Sequence, residues 1–258
     1  AYSLYWFLGD RGHRQRAMEG FEHVLISGVL FGVALILVNL SLWGLNTYLS
    51  IADVQLPHNS AIMVLNKTEG WWDFGTNVQE ALSAAEETYR SYATASGAIL
   101  TAYAGAVVAT GLTHWTSPIS MAILNVYAYL VTAATTVLLS SAVYAVAMTL
   151  ARTWPALLPL GAVLVTYEKT RHLGAWLLAV SVVAPIVLAA GADVLRSAVD
   201  PLHIAAIAGK MTPFFAFISA DPLLEAMIML GLIGLVLGVV TYAASRLFDH
   251  AGASLSLE

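Results

Sequence analysis

The chain has 258 residues, 59% of them hydrophobic and only 10% charged, with a mean hydropathy of +0.77. A soluble domain carries about a quarter charged residues, so this composition excludes a soluble enzyme and a disordered chain. The net charge of −5, from 11 basic and 16 acidic residues, excludes a basic nucleic-acid-binding domain. The expected fold is all-α: one integral membrane domain over residues 1–258, a polytopic bundle of about six transmembrane helices with one of them broken.

Cysteine is absent, which excludes disulfides, thiolate metal sites, iron–sulfur clusters and cysteine nucleophiles. The apolar stretch 1–8 is too short to span a bilayer. It reads as the tail of an apolar segment or a surface-lying stub, and the natural chain is expected to start upstream.

A spanning helix needs about 20 residues free of charge, because only internal bonding satisfies the backbone in hydrocarbon. Such stretches run over 24–49, 91–112, 119–150 and 173–190, and over 223–245 with Glu225 at its edge. The third is overlong, which requires tilt or projection beyond the bilayer. The stretch 173–190 carries Pro185 and is expected to kink there. A further segment, 153–165, is short and holds Pro155, Pro159 and Gly161, and is the expected broken span.

Basic residues are retained on the cytoplasmic side. Arg11, Arg14 and Arg16 precede the first span, so six crossings place both termini, 166–172 and Arg246 inside; a re-entrant 153–165 would flip everything after it. Residues 51–90 and 191–222 then lie outside as extracytoplasmic loops. Trp43, Tyr48, Trp115 and Trp154 near span ends suit the headgroup layer. In the first outer loop Val78, Leu82, Ala85, Tyr89 and Tyr92 recur at helical spacing beside Glu80, Glu86 and Glu87, which predicts an amphipathic helix on the membrane surface. Asn66-Lys67-Thr68 is a glycosylation sequon on that side. In the second, the apolar run 211–218 is expected to dip toward the bilayer.

Two kinds of stripe mark the spans. Ala93, Gly97, Thr101, Gly105 and Ala109 form a small-residue face, and Gly28 with Gly32 and Gly234 with Gly238 repeat the spacing. Such faces let helix backbones approach closely, within one bundle or between subunits. The third span carries Asn125, Tyr129, Thr132, Thr136, Ser140 and Tyr144 along one helical face. These are either pore-lining candidates or interhelical hydrogen-bond glue.

No charge lies near the centre of a predicted span, which argues against a proton pump, an ion-coupled antiporter and a voltage sensor. The seven histidines (His13, His23, His58, His114, His172, His203 and His250) lie in loops or at span ends, with none paired at mid-depth to hold a haem. There is no phosphate-binding loop and no intramembrane catalytic pair. No enzymatic activity, cofactor or metal is expected, and energy for any active process must come from a partner.

Two segments carry a resemblance. Residues 8–30, LGDRGHRQRAMEGFEHVLISGVL, resemble the basic-loop-then-helix element of membrane components of archaeal type IV secretion and conjugation systems. Residues 157–179 contain Pro159-x-Gly161-x-x-Leu164 followed by Thr170-Arg171-x-x-Gly174, a pattern similar to that of CedA-like multi-span proteins of the crenarchaeal DNA-exchange system. Val165 and Ala175 stand where that pattern often has a basic residue and a second glycine. The two stretches cover under a fifth of the chain.

The resemblance implies a channel component for DNA transfer between cells. Its partners would be small pilin-like membrane subunits and a separate cytoplasmic hexameric ATPase, with single- or double-stranded DNA as cargo. Arg11, Arg14, Arg16, Lys169 and Arg171 are the candidates for contacting such a partner or DNA phosphates, beside their role in setting topology. Two other functions fit the sequence. A small-molecule secondary transporter would hold substrate at the break near Pro159 and Gly161. A structural subunit of an envelope assembly or filament would use the small-residue faces between chains.

Overall fold

A computed structural model describes residues 11–51, 60, 74–111, 118, 128–209 and 221–255. Among these residues every regular element is helical. They are α1 (Arg11–Ile51), α2 (Phe74–Gly111), α3 (Ala128–Ala151), α4 (Trp154–Val165), a 3-10 turn (Glu168–Thr170), α5 (Arg171–Ala198), α6 (Pro201–Gly209) and α7 (Asp221–Leu255). Five of them, α1, α2, α3, α5 and α7, are long and apolar enough to cross a membrane. The 12 residues of α4 rise only about 18 Å, well short of a hydrocarbon core of about 30 Å.

The chain forms two compact units, one of Ala1–Val54, Leu150–Ile186 and Leu237–Glu258, the other of Gln55–Thr149 and Val187–Val236. In the first unit α1 packs on α4. It buries Ile26, Leu30, Ala34 and Val38, one residue per turn. The matching face of α4 is Trp154, Leu158, Gly161, Ala162 and Val165. In the second unit α2 buries Ala81, Leu82, Ala85, Tyr89, Tyr92, Ser96 and Ile99 and packs on α6.

Three expectations change. The predicted surface helix and the second span are one uninterrupted helix from Phe74 to Gly111. Leu82, Ala85, Tyr89 and Tyr92 do share a buried face, but no break follows Arg90, so the stretch 51–90 is not a loop throughout. Likewise α5 continues through Pro185 to Ala198, so the start of the expected loop 191–222 is helical. The segment 153–165 is not broken at its prolines either. Pro155 sits in the first turn of α4, where a missing N–H costs nothing, and the helix continues through Pro159 and Gly161. The interruption lies instead at Arg152 and Thr153, where the Thr153 N–H donates to the Leu150 carbonyl at 2.9 Å.

The expected basic loop before the first span is also helical from Arg11 onward, placing Arg11, Arg14 and Arg16 within α1. Trp154, expected in the headgroup layer, is buried. The sequon at 66–68, Asn125 and the run 211–218 lie outside the described residues.

Candidate functional site

The residues 157–179 fold into a hairpin of α4, the 3-10 turn and the start of α5. A methyl group on Gly161 would stand 2.9 Å from the Leu178 amide nitrogen and 3.1 Å from the Gly174 carbonyl oxygen. One on Gly174 would meet the Val165 amide nitrogen and stand 2.7 Å from the Leu164 carbonyl carbon. Only glycine lets the two backbones come this close. The Thr170 hydroxyl closes the turn by donating to the Leu164 carbonyl at 2.9 Å. Gly161, Leu164, Thr170 and Gly174, four fixed positions of the resemblance pattern, therefore build one structural joint.

Two other segments meet this joint. His23 of α1 stacks on Tyr167 with ring centroids 4.9 Å apart. From α7, Gly252 lies against Val165 and Arg171, and Asp249 pairs with His172 at 3.1 Å. Lys169 is exposed on the turn and Arg171 half-buried. Arg246 holds the Tyr242 hydroxyl on the same α7 segment at 3.1 Å.

The third-span stripe divides in its use of hydroxyls. Thr132 is exposed, Thr136, Ser140 and Tyr144 are half-buried, and the buried face of α3 is instead Leu130, Ala133, Ala134, Val137, Ser141, Ala145 and Met148. Thr132 and Thr136 donate back to the carbonyls of Ala128 and Thr132, each at 2.8 Å, which satisfies them without water. The Tyr144 hydroxyl crosses to α7 and donates to the Leu230 carbonyl at 2.7 Å, packing against Gly234. Tyr144 is thus interhelical glue, and Tyr129 lies on α3 one turn before the exposed Thr132.

Of the six glycines expected to pack helices, Gly97 meets Leu138 at ordinary contact distance, 3.4 Å, and Gly234 meets Tyr144. Gly28, Gly32, Gly105 and Gly238 have nothing within 4 Å of an added Cβ, so they mark open faces rather than helix contacts within the described residues. Besides Gly234, the tight contacts fall at Gly161, Gly174, Gly191 (2.9 Å from Ile233) and Gly252, none of which stands in a repeated small-residue stripe.

The second unit contains a cleft of about 830 Å³ between α2 and the corner joining α5 to α6. Its α2 wall runs through Ala84, Glu87, Thr88, Ser91, Thr94, Ala95 and Ala98, one helical face, and the corner adds Arg196, Asp200 and Leu202. Tyr92 builds that corner. Its buried hydroxyl donates to the carbonyls of Leu195, at 3.1 Å, and Val199 at the end of α5; the Leu195 carbonyl also accepts the Val199 N–H at 3.0 Å. Asp200 then caps α6, accepting the Leu202 N–H at 2.9 Å. Arg90, also on the cleft wall, pairs with the buried Glu86 at 2.5 Å, and elsewhere in the same unit the buried Asp193 accepts the Ser60 hydroxyl at 2.8 Å. The sequence places Glu86 and Glu87 on a surface helix and Asp193, Arg196 and Asp200 in an outer loop; the spacing of three and four that continues through residue 98 is the signal that Glu86, Glu87 and Arg90 belong to the same helix as the second span.

Among the described residues no group of three or more histidines and carboxylates is arranged to hold a metal. The molecule so described is a multi-pass, all-helical membrane protein. Comparison with protein families, with curated proteins and with solved structures gives no match for this chain.

Proposed function

We propose that the chain is a membrane-embedded channel subunit through which DNA passes between cells, driven by a separate cytoplasmic ATPase and assembled with small membrane partners. The observation that carries this reading is the joint of Gly161, Leu164, Thr170 and Gly174. The pattern behind the resemblance to CedA-like proteins is a single folded element here, which ties its widely spaced positions to one geometric requirement.

Counting α4 as a crossing, although its helix alone is shorter than the hydrocarbon core, the orientation has its own support. The three segments that charge places inside, namely the start of α1, the turn 166–172 and the end of α7, come together through His23–Tyr167 and His172–Asp249. The six basic residues assigned to that side, Arg11, Arg14, Arg16, Lys169, Arg171 and Arg246, all belong to the same unit. This surface is the one offered to a cytoplasmic motor.

A path within one chain would be covered by that chain's own helices. Thr132 is exposed and Thr136 and Ser140 half-buried, so the path in this account runs between chains, with the open faces at Gly28, Gly32, Gly105 and Gly238 available for assembly. The transporter reading loses its motive, since the helix is continuous at Pro159 and Leu178 fills the space beside Gly161. Replacing Thr132, Thr136 and Ser140 together by Leu tests the proposal: DNA transfer between cells is lost while the protein still accumulates in the membrane. Normal transfer removes the stripe from the path.

A further inference from the structure

We propose that the cleft of the second unit binds a zwitterion carrying a primary ammonium and a phosphate, the chemistry of an aminophospholipid headgroup. This inference is independent of the DNA-transfer reading. The volume of about 830 Å³ lies within the range of about 300–1,000 Å³ typical of small-molecule sites. The lining combines charged groups with Ala95, Ala98 and Leu202, which suits a ligand that is polar at one end and apolar at the other.

The polar groups define the ligand's charges. Arg90 is committed to Glu86, whereas the side chains of Arg196 and Glu87 make no hydrogen bond or ion pair among the described residues. Arg196 is therefore the cation available to an acidic group, which its planar fork binds through two oxygens. Facing that need are acceptors in excess. Thr88, Ser91 and Thr94 spend their hydroxyl hydrogens on the carbonyls of Ala84, Glu87 and Arg90, so only their oxygen lone pairs remain. Asp200 has one carboxylate oxygen beyond its cap, and Glu87 has both. An ammonium brings three N–H donors to this set. A quaternary ammonium brings none and leaves the acceptors unsatisfied.

Calorimetric titration of the detergent-solubilised full chain tests this, using dihexanoyl phosphatidylethanolamine below its micellar concentration, with the phosphatidylcholine and phosphatidylglycerol analogues and free O-phosphoethanolamine as comparisons. Saturable binding of the ethanolamine lipid, at least about tenfold tighter than the choline or glycerol lipid, is expected from one charge-assisted contact. Glu87→Gln weakens the ethanolamine lipid about tenfold and leaves the glycerol lipid unchanged, while Arg196→Gln weakens both. Both side chains are exposed, and circular dichroism checks that the helices persist. Equal affinity for free O-phosphoethanolamine assigns the site to a soluble zwitterion, and much weaker affinity assigns it to the lipid. Absence of saturable binding, equal binding of choline and ethanolamine lipids, or wild-type binding by both variants overturns the proposal.

Discussion

Gly161 and Gly174 face each other across the α4–α5 hairpin so closely that a methyl group on Gly174 would lie 2.8 Å from the Gly161 carbonyl oxygen. The obstructing atoms are backbone, which cannot swing aside as a side-chain tip can. Gly174→Ala and Gly161→Ala each force the helices apart, a loss of about 1–3 kcal/mol by the usual scale of overpacking. Thermal unfolding in detergent reads this directly, with Gly238→Ala as the control: nothing lies within 4 Å there, and its melting point stays with the wild type. Equal melting points for all three variants would remove the joint.

The open glycines lead to a different expectation. Gly28 and Gly32 lie away from the α1 face that buries Ile26, Leu30, Ala34 and Val38. Leu at both positions leaves the monomer's stability unchanged and reduces association between chains, because close backbone approach needs small residues. Mass measurement in mild detergent separates the outcomes. A wild-type monomer, or an assembly indifferent to both substitutions, contradicts the use of this face.

Buried hydroxyls divide into two groups with opposite signs. Ser96 and Ser141 are fully buried with no hydrogen-bond partner among the described residues. Their change to Ala removes an unsatisfied polar group and is neutral or stabilising. Ser60→Ala deprives the buried Asp193 of a donor and costs about 1–3 kcal/mol. Chemical unfolding of the three variants side by side checks the signs, and a loss at Ser96 as large as that at Ser60 would show a partner there.

The tyrosines give a graded series. Tyr144→Phe removes one bond between helices, to Leu230, and costs about 0.6 kcal/mol on the scale of such bonds in membranes. Tyr92→Phe removes contacts to two carbonyls at the end of α5. It costs more and also loosens the corner that walls the cleft. Reversal of that order in unfolding experiments would place the corner's support elsewhere.

The fold class was legible because a bilayer leaves a chain few options: long uncharged runs must be helices, and α1, α3, α5 and α7 follow from them. Boundaries were less legible. A charge-free window finds the hydrocarbon-compatible part of a helix, so it stopped at Ser91 and Ala190 while the backbone bonds of α2 and α5 ran on through Glu86, Arg90 and Asp193. Prolines misled for a related reason. Pro155 stands at the helix start and Pro159 one turn later, where a single missing bond is tolerated, while the real interruption at Arg152-Thr153 has no strong sequence mark. The small-residue stripes identified faces able to pack tightly, but spacing alone does not say which face meets a neighbour. Gly252 was invisible, and Gly174 was marked only by the resemblance pattern, because their partners lie on other helices.

The proposed DNA path is hydrated and runs along Thr132, Thr136 and Ser140 between chains. The chain has no cysteine, so a single Thr132→Cys variant in cells or native membranes carries one thiol at the exposed position on that stripe. Its labelling by a membrane-impermeant, water-soluble maleimide measures whether water reaches it. The account predicts labelling in the assembled state at a rate within about tenfold of an exposed loop position, blocked labelling at the buried Val137→Cys, and loss of DNA transfer once the thiol of the Thr132→Cys variant carries the bulky adduct. A Thr132→Cys thiol as unreactive as that of Val137→Cys, with DNA transfer unaffected, would mean that the stripe faces lipid and would contradict the account.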